Sequence, residues 1–167
     1  MKNLKTDLSG ILLIGIGNSG RGDDGLGWKF TEWVRQSVKD CMDFEYRYQL
    51  QIEDTVTISK YGFVIFADAS HTALKEGFEI KPCIAAGHYF YSSHIQSPET
   101  ILYLANDLYN KFPQTYTIAI SGQYWDLKTS LSKEAKKNLQ SAFTFFIEEF
   151  LPTIQQQAQF NKNKLTA

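Results

Sequence analysis

Apolar and polar positions follow two rhythms along this chain. Residues 11–16 (ILLIGI) form an unbroken apolar run between glycines, the pattern of a strand buried on both faces. Over 25–38, Leu26, Phe30, Trp33 and Val34 recur at helical spacing and predict an amphipathic helix. Residues 43–50 then alternate, with Phe44, Tyr46, Tyr48 and Leu50 on one side, which predicts a strand. A short helix or turn is expected over 53–60, and a second buried strand over 62–67, ending at Asp68.

Residues 77–81 suit a short strand, and 84–94 read as irregular or extended. Ser97-Pro98-Glu99 announces a helix: Ser is a good cap, Pro suits the first turn and Glu meets the positive end of the dipole. That helix carries Ile101, Leu102, Leu104, Ala105 and Leu108, and stops near Lys111, ahead of Pro113. Residues 115–120 (TYTIAI) predict a third buried strand. Ser132 caps a last helix to about Phe150, with Phe143, Phe146, Ile147 and Phe150 on one side. Residues 153–167 are rich in Gln and Asn without an apolar period, so the expectation is one α/β domain over 1–152 and a frayed tail over 153–167.

Strands that alternate with helices predict βαβ units, hence a mostly parallel sheet with helices on both faces. Composition narrows the function classes. Lys plus Arg number 17 and Asp plus Glu 18 in 167 residues, a net charge of −1, which argues against a nucleic-acid binder and against attraction to anionic membranes. The apolar run 11–16 is far shorter than the ~20 residues a membrane span needs. Arg21, Asp23 and Asp24 follow it where a signal peptide would carry a small-residue cleavage site. Two Cys do not make a disulfide scaffold, so reduced thiols in a cytoplasmic, soluble protein are expected.

In parallel sheets ligands sit beyond the carboxyl ends of the strands. Gly15-x-Gly17-x-x-Gly20 follows the first strand and matches a dinucleotide fingerprint, with Asp43 or Glu45 as candidate ribose acids. Asp23 and Asp24, however, occupy the helix start where a pyrophosphate would sit, and two carboxylates repel phosphate. One Asp suffices to cap a helix; the second raises the prospect of a metal or substrate role. Asp68 emerges at the same edge, and His94 lies three residues before the Ser97 cap. Two carboxylates and an imidazole make a plausible three-ligand set with an open position. Rival sets use His71 beside Asp68, or the Cys-x4-His pair of Cys83 and His88. The chain has no G-x-S-x-G elbow and no H-E-x-x-H helix, so serine-hydrolase and zinc-protease readings lack support.

Gly15-x-Gly17-Asn18-x-x-Arg21-Gly22-Asp23-Asp24-Gly25-x-Gly27 resembles the N-terminal signature of the [NiFe]-hydrogenase maturation endopeptidases. Residues 66–70 (FADAS) resemble that family's strand ending in Asp-Ala. Ser93-His94-x-x-Ser97-Pro98-Glu99 resembles its His-bearing loop, and Leu131-Ser132-x-Glu134-Ala135 the start of its last helix. The resemblance implies a three-layer α/β/α sandwich with a five-stranded, mostly parallel mixed sheet. It implies an endopeptidase that removes a short C-terminal peptide from the nickel-loaded precursor of a hydrogenase large subunit. It selects Asp24, Asp68 and His94 as the catalytic and metal-contacting residues. The nickel would arrive with the substrate, and no tightly bound cofactor of the protein's own is expected. Two segments depart from the family. Residues 71–83 lack a Pro-Gly-Thr type sequence, and 121–126 keep only Gly122-Gln123 of a Gly-Ile-Gln-Pro type motif. Tyr124 and Trp125 there are either substrate anchors or core residues. A non-catalytic checkpoint or assembly factor on the same fold, and more distantly an NAD-binding oxidoreductase, are the alternatives.

Overall fold

The computed structural model describes residues 10–38, 41–88 and 96–165, with side chains described as far as residue 160. Five strands form one sheet: β1 (Ile11–Ile16), β2 (Asp43–Arg47), β3 (Phe63–Ser70), β4 (Phe78–Pro82) and β5 (Gln114–Ser121), in the order β2-β1-β3-β5-β4. β4 runs antiparallel to β5 and the other pairs are parallel. The helices are α1 (Leu26–Val38), α2 (Asp54–Ile58), α3 (Pro98–Tyr109), α4 (Lys133–Phe145) and α5 (Leu151–Leu165).

The alternation inside the strands sorts the helices into layers. Leu13, Ile65 and Ile118 face Phe30 and Val34 of α1, Leu139 of α4 and Ile154 of α5. Leu12, Ile14, Val64 and Phe66 face Ile58 of α2 and Ile101 and Ala105 of α3. The result is the three-layer sandwich with a mixed sheet that the resemblance implies. Both predicted caps form: Ser97 Oγ accepts from Thr100 N at 3.2 Å and Ser132 Oγ from Ala135 N at 3.1 Å.

Three boundaries differ from the sequence reading. β2 stops at Arg47; Tyr48 is 68% exposed, and Leu50 returns in an isolated antiparallel bridge with Gln96. β3 runs on to Ser70, because β5 continues to pair with it through Asp68↔Ala119, Ala69↔Ile120 and Ser70↔Ser121. β1 is last paired with β3 at Gly15↔Ala67. Asp68 is therefore a strand residue whose β1 flank is left open.

The third difference is the tail. In place of a frayed 153–167, α5 extends to Leu165. A π-helical turn over Phe146–Phe150 joins α4 to α5. Beyond it Leu151, Ile154 and Ala158 reach the core and continue the four-residue spacing of Phe146 and Phe150, a stripe thinned by the Gln and Asn residues around it.

Candidate functional site

The chain order places the switch of direction between β1 and β3, because β2 lies on one side of β1 and β3 on the other. Ligands bind at such points in open α/β sheets. The loop after β1 and the end of β3 meet there.

The loop is tightly closed. Gly17 has φ +135°, and a Cβ there would overlap the Asp24 carbonyl oxygen, so only glycine fits. Gly17 N donates to Arg47 O at 2.9 Å, which ties the loop to the end of β2. Asn18 N donates to Asp24 O at 3.0 Å and Arg21 N to Asn18 O at 3.0 Å; Asn18 Oδ1 accepts from Gly20 N at 2.9 Å. Residues Gly22–Gly25 then make one 3-10 turn that leads into α1. Gly27 lets α1 sit down on the strand ends: a Cβ there would run into the carbonyl oxygens of Ile16 and Ala67.

The two adjacent acids divide the work. Asp23 is fully buried and accepts four hydrogen bonds: from Gln123 N (2.8 Å), Tyr124 N (3.0 Å), Ser132 N (2.7 Å) and Ser132 Oγ (2.7 Å). Burial alone would push its pKa up. The donors from Gln123, Ser132 and Tyr124 outweigh that and hold the carboxyl below its usual range. Asp23 N also donates to Tyr124 O at 2.8 Å and Gly22 N to Lys128 O at 2.6 Å. Asp23 is thus the clamp between the first loop and the segment leading into α4.

Asp24 is the acid left to face Asp68. Asp68 is pushed up to about 7, first by burial and further by the charge of Asp24, although the Ala69 N–H donates to Asp68 Oδ1 at 2.7 Å and pulls the other way. A buried carboxyl raised by a neighbouring carboxylate holds a proton near neutral pH. A divalent cation between the two would displace that proton and cancel their repulsion, so the donor set suits a metal. His94, the third predicted ligand, lies outside the described residues.

The rival sets fare differently. Cys83 is buried, and burial, then the charge of Glu99, pushes its thiol up to about 12. It is a poor nucleophile, so a Cys83–His88 pair is not supported. His71 is exposed and stacks on Trp125, with ring centroids 3.6 Å apart and planes inclined by 25°. Among the described residues no group of three His, Cys, Asp or Glu is placed to hold a metal by itself. The candidate ribose acids are engaged elsewhere: Asp43 accepts from Tyr61 OH at 2.9 Å, and Glu45 pairs with Arg47 at 2.9 Å.

Sequence reasoning missed Arg47. Its carbonyl accepts both Gly17 N and Trp28 Nε1 at 2.9 Å, and its guanidinium binds buried Asp54 at 2.7 Å. Nothing in the alternation of 43–50 marks it. Tyr124 is 61% exposed, whereas Trp125 is partly buried under His71.

No protein-family model and no curated protein matches the sequence. Solved structures do match the fold. The hydrogenase maturating endopeptidase HybD from E. coli superposes with a TM-score of 0.66 at 16% identity, covering 88% of this chain and 93% of its own. The [NiFe] hydrogenase maturation protease HycI from Thermococcus kodakarensis KOD1 gives 0.63 at 22% identity, covering 85% and 94%. A hydrogenase 2 maturation peptidase from Thaumarchaeota archaeon SCGC_AB-539-E09 gives 0.59 at 18% identity, covering 84% and 97%. The chain has the fold of these proteases over nearly their whole length.

Proposed function

We propose that this chain is an endopeptidase that removes a short C-terminal peptide from the nickel-loaded precursor of a [NiFe]-hydrogenase large subunit. The observation that carries the reading is the Asp24–Asp68 pair at the switch point of a sheet with the protease fold. In this reading Asp24, Asp68 and His94 contact the nickel that the precursor already holds. The chain re-enters the described structure at Gln96, whose N–H donates to Leu50 O at 3.3 Å beyond the end of β2, on the same edge of the sheet.

The chemistry follows from the pair's electrostatics. Before substrate arrives, burial lets the Asp68 carboxyl keep its proton up to about pH 7. The incoming divalent metal replaces it, and the two carboxylates become oxygen ligands without mutual repulsion. Productive seating then depends on a loaded precursor. Cleavage checks for nickel, and the protein needs no tightly bound cofactor of its own. Water attack on the scissile carbonyl is promoted by the metal's polarisation or by a carboxylate that takes the water's proton.

No helix among the described residues is long and apolar enough to cross a membrane. The test is cleavage of the precursor by Asp24→Asn, Asp68→Asn and His94→Ala proteins. Each should abolish the loss of the C-terminal peptide with the fold intact, and full activity in Asp68→Asn and His94→Ala would remove the proposal. Capture of the precursor by the wild type without any change in its mass would identify a non-catalytic checkpoint instead.

A further inference from the structure

The segment that joins β5 to α4 combines a fixed backbone with exposed apolar side chains. Its backbone is held from several sides. Gln123 N, Tyr124 N and Ser132 N all end on Asp23, Tyr124 O and Lys128 O accept from Asp23 N and Gly22 N, and Trp125 is pressed between His71 and the backbone of Gly122. A Cβ on Gly122 would stand 3.0 Å from Trp125 Cη2, so glycine there lets the indole lie close. Despite this order, Tyr124 is 61% exposed and Leu127 84% exposed. A pinned loop cannot fold these side chains back onto the core.

Their surroundings are basic. Arg21 and Lys128 are neighbours in an isolated parallel bridge, and Lys133 stands at the start of α4. Among the described residues none of these three cations takes part in an ion pair, and Asp126 is the one carboxylate within 124–133. Residues 124–128 carry no net charge by themselves, and the flanking Arg21 and Lys133 bring the sum to +2 on a protein whose total is −1. The cavity between these residues and Gly22 is only ≈ 220 Å³, smaller than the ~300 Å³ at which small-molecule sites begin. Projecting apolar residues ringed by unpaired cations fit a macromolecular partner that offers an apolar recess with an acidic rim. A second copy of this chain is a poor match, because a two-fold contact through this face would oppose like charges.

We infer that the 124–128 strip, flanked by Arg21 and Lys133, is the docking surface for the folded body of the precursor. The inference rests on the proposed function, because the partner named is that reaction's substrate. Gly22 and Asp23, the residues that hold the strip, immediately precede Asp24. A protein seated on Tyr124 and Leu127 is thereby set in register with the Asp24–Asp68 pair.

Binding of nickel-loaded precursor to the immobilised protein tests this in 50 and 300 mM salt. The variants are Tyr124→Ala/Leu127→Ala, Leu127→Ser alone and Lys128→Glu/Lys133→Glu. The apolar double variant should lose at least tenfold in affinity. Leu127→Ser, at the most exposed position, should lose severalfold with an unchanged circular dichroism spectrum. The charge variant should lose chiefly association rate and most of the salt dependence. Wild-type affinity in all three, with the wild type still cleaving, overturns the docking surface and leaves the proposed function standing. Wild-type protein that does not bind the precursor overturns both. A wild-type dimer that the apolar variant disperses makes the strip a self-association face and overturns the inference.

Discussion

Asp68→Asn should make the protein more stable, and increasingly so as the pH rises. Asp68 ionises at about 7 in the fold against an ordinary 3.8. The folded state thus binds this proton more tightly than the unfolded chain does. The stability linked to that proton is fully present below about pH 4 and is lost as the pH rises through about 7. At ~1.4 kcal/mol per pH unit, the interval between 3.8 and about 7 sets a ceiling of about 4 kcal/mol on the cost of the charge at pH 8. Asp68 keeps partial solvent contact, so about 1–3 kcal/mol is the working figure. Asparagine has nearly the same shape and bears no charge. Urea unfolding of both proteins from pH 4 to 8, followed by tryptophan fluorescence, measures the gap directly. With a slope of ~1–3 kcal/mol/M, the variant's midpoint at pH 8 should lie roughly 1 M higher, and the gap should close toward pH 4. Asp24→Asn removes the neighbouring charge, so the same titration should flatten part-way in that background. Parallel curves at every pH would refute the raised ionisation of Asp68 in the fold.

Asp23→Ala should do the opposite. It leaves the amides of Gln123, Tyr124 and Ser132 without their acceptor, at a cost of about 3–5 kcal/mol. The same urea series reads it. Because the Asp23 carboxyl is held below its usual range, its contribution is present above about pH 4 and lost in acid, so wild type and variant should converge at low pH. Cys83 should resist thiol reagents at pH 8 in the native protein while half-buried Cys41 reacts, and both should react in denaturant. Equal native rates would contradict the burial of Cys83.

The features legible in the sequence are those written in neighbouring residues. The apolar runs at 11–16 and 62–67 became central strands with both faces in the core, 115–120 a central strand buried chiefly through Ile118 and Ile120, and Ser97 and Ser132 cap the helices they announce. The partition of labour between Asp23 and Asp24 was not legible from spacing. Asp23's four donors lie 100 to 109 positions away, and only the folded sheet edge brings them together. Resemblance to a family pattern singled out Asp24; what the fold adds is that its neighbour Asp23 is taken up by the clamp. The extension of β3 through Asp68 depends on a partner strand that continues equally far, which no local pattern records. The helix beyond 153 was hard to read because only Ile154 and Ala158 carry its apolar stripe to the core among Gln and Asn residues.

The central claim is that Asp24 and Asp68 meet a metal carried by the substrate. The most direct measurement is the intact mass of a hydrogenase large-subunit precursor after incubation with this protein, once with nickel inserted and once without. The expected result is loss of the C-terminal peptide from the nickel-loaded precursor alone, abolished by Asp24→Asn. Equal cleavage of both precursors, or cleavage of neither, would contradict it.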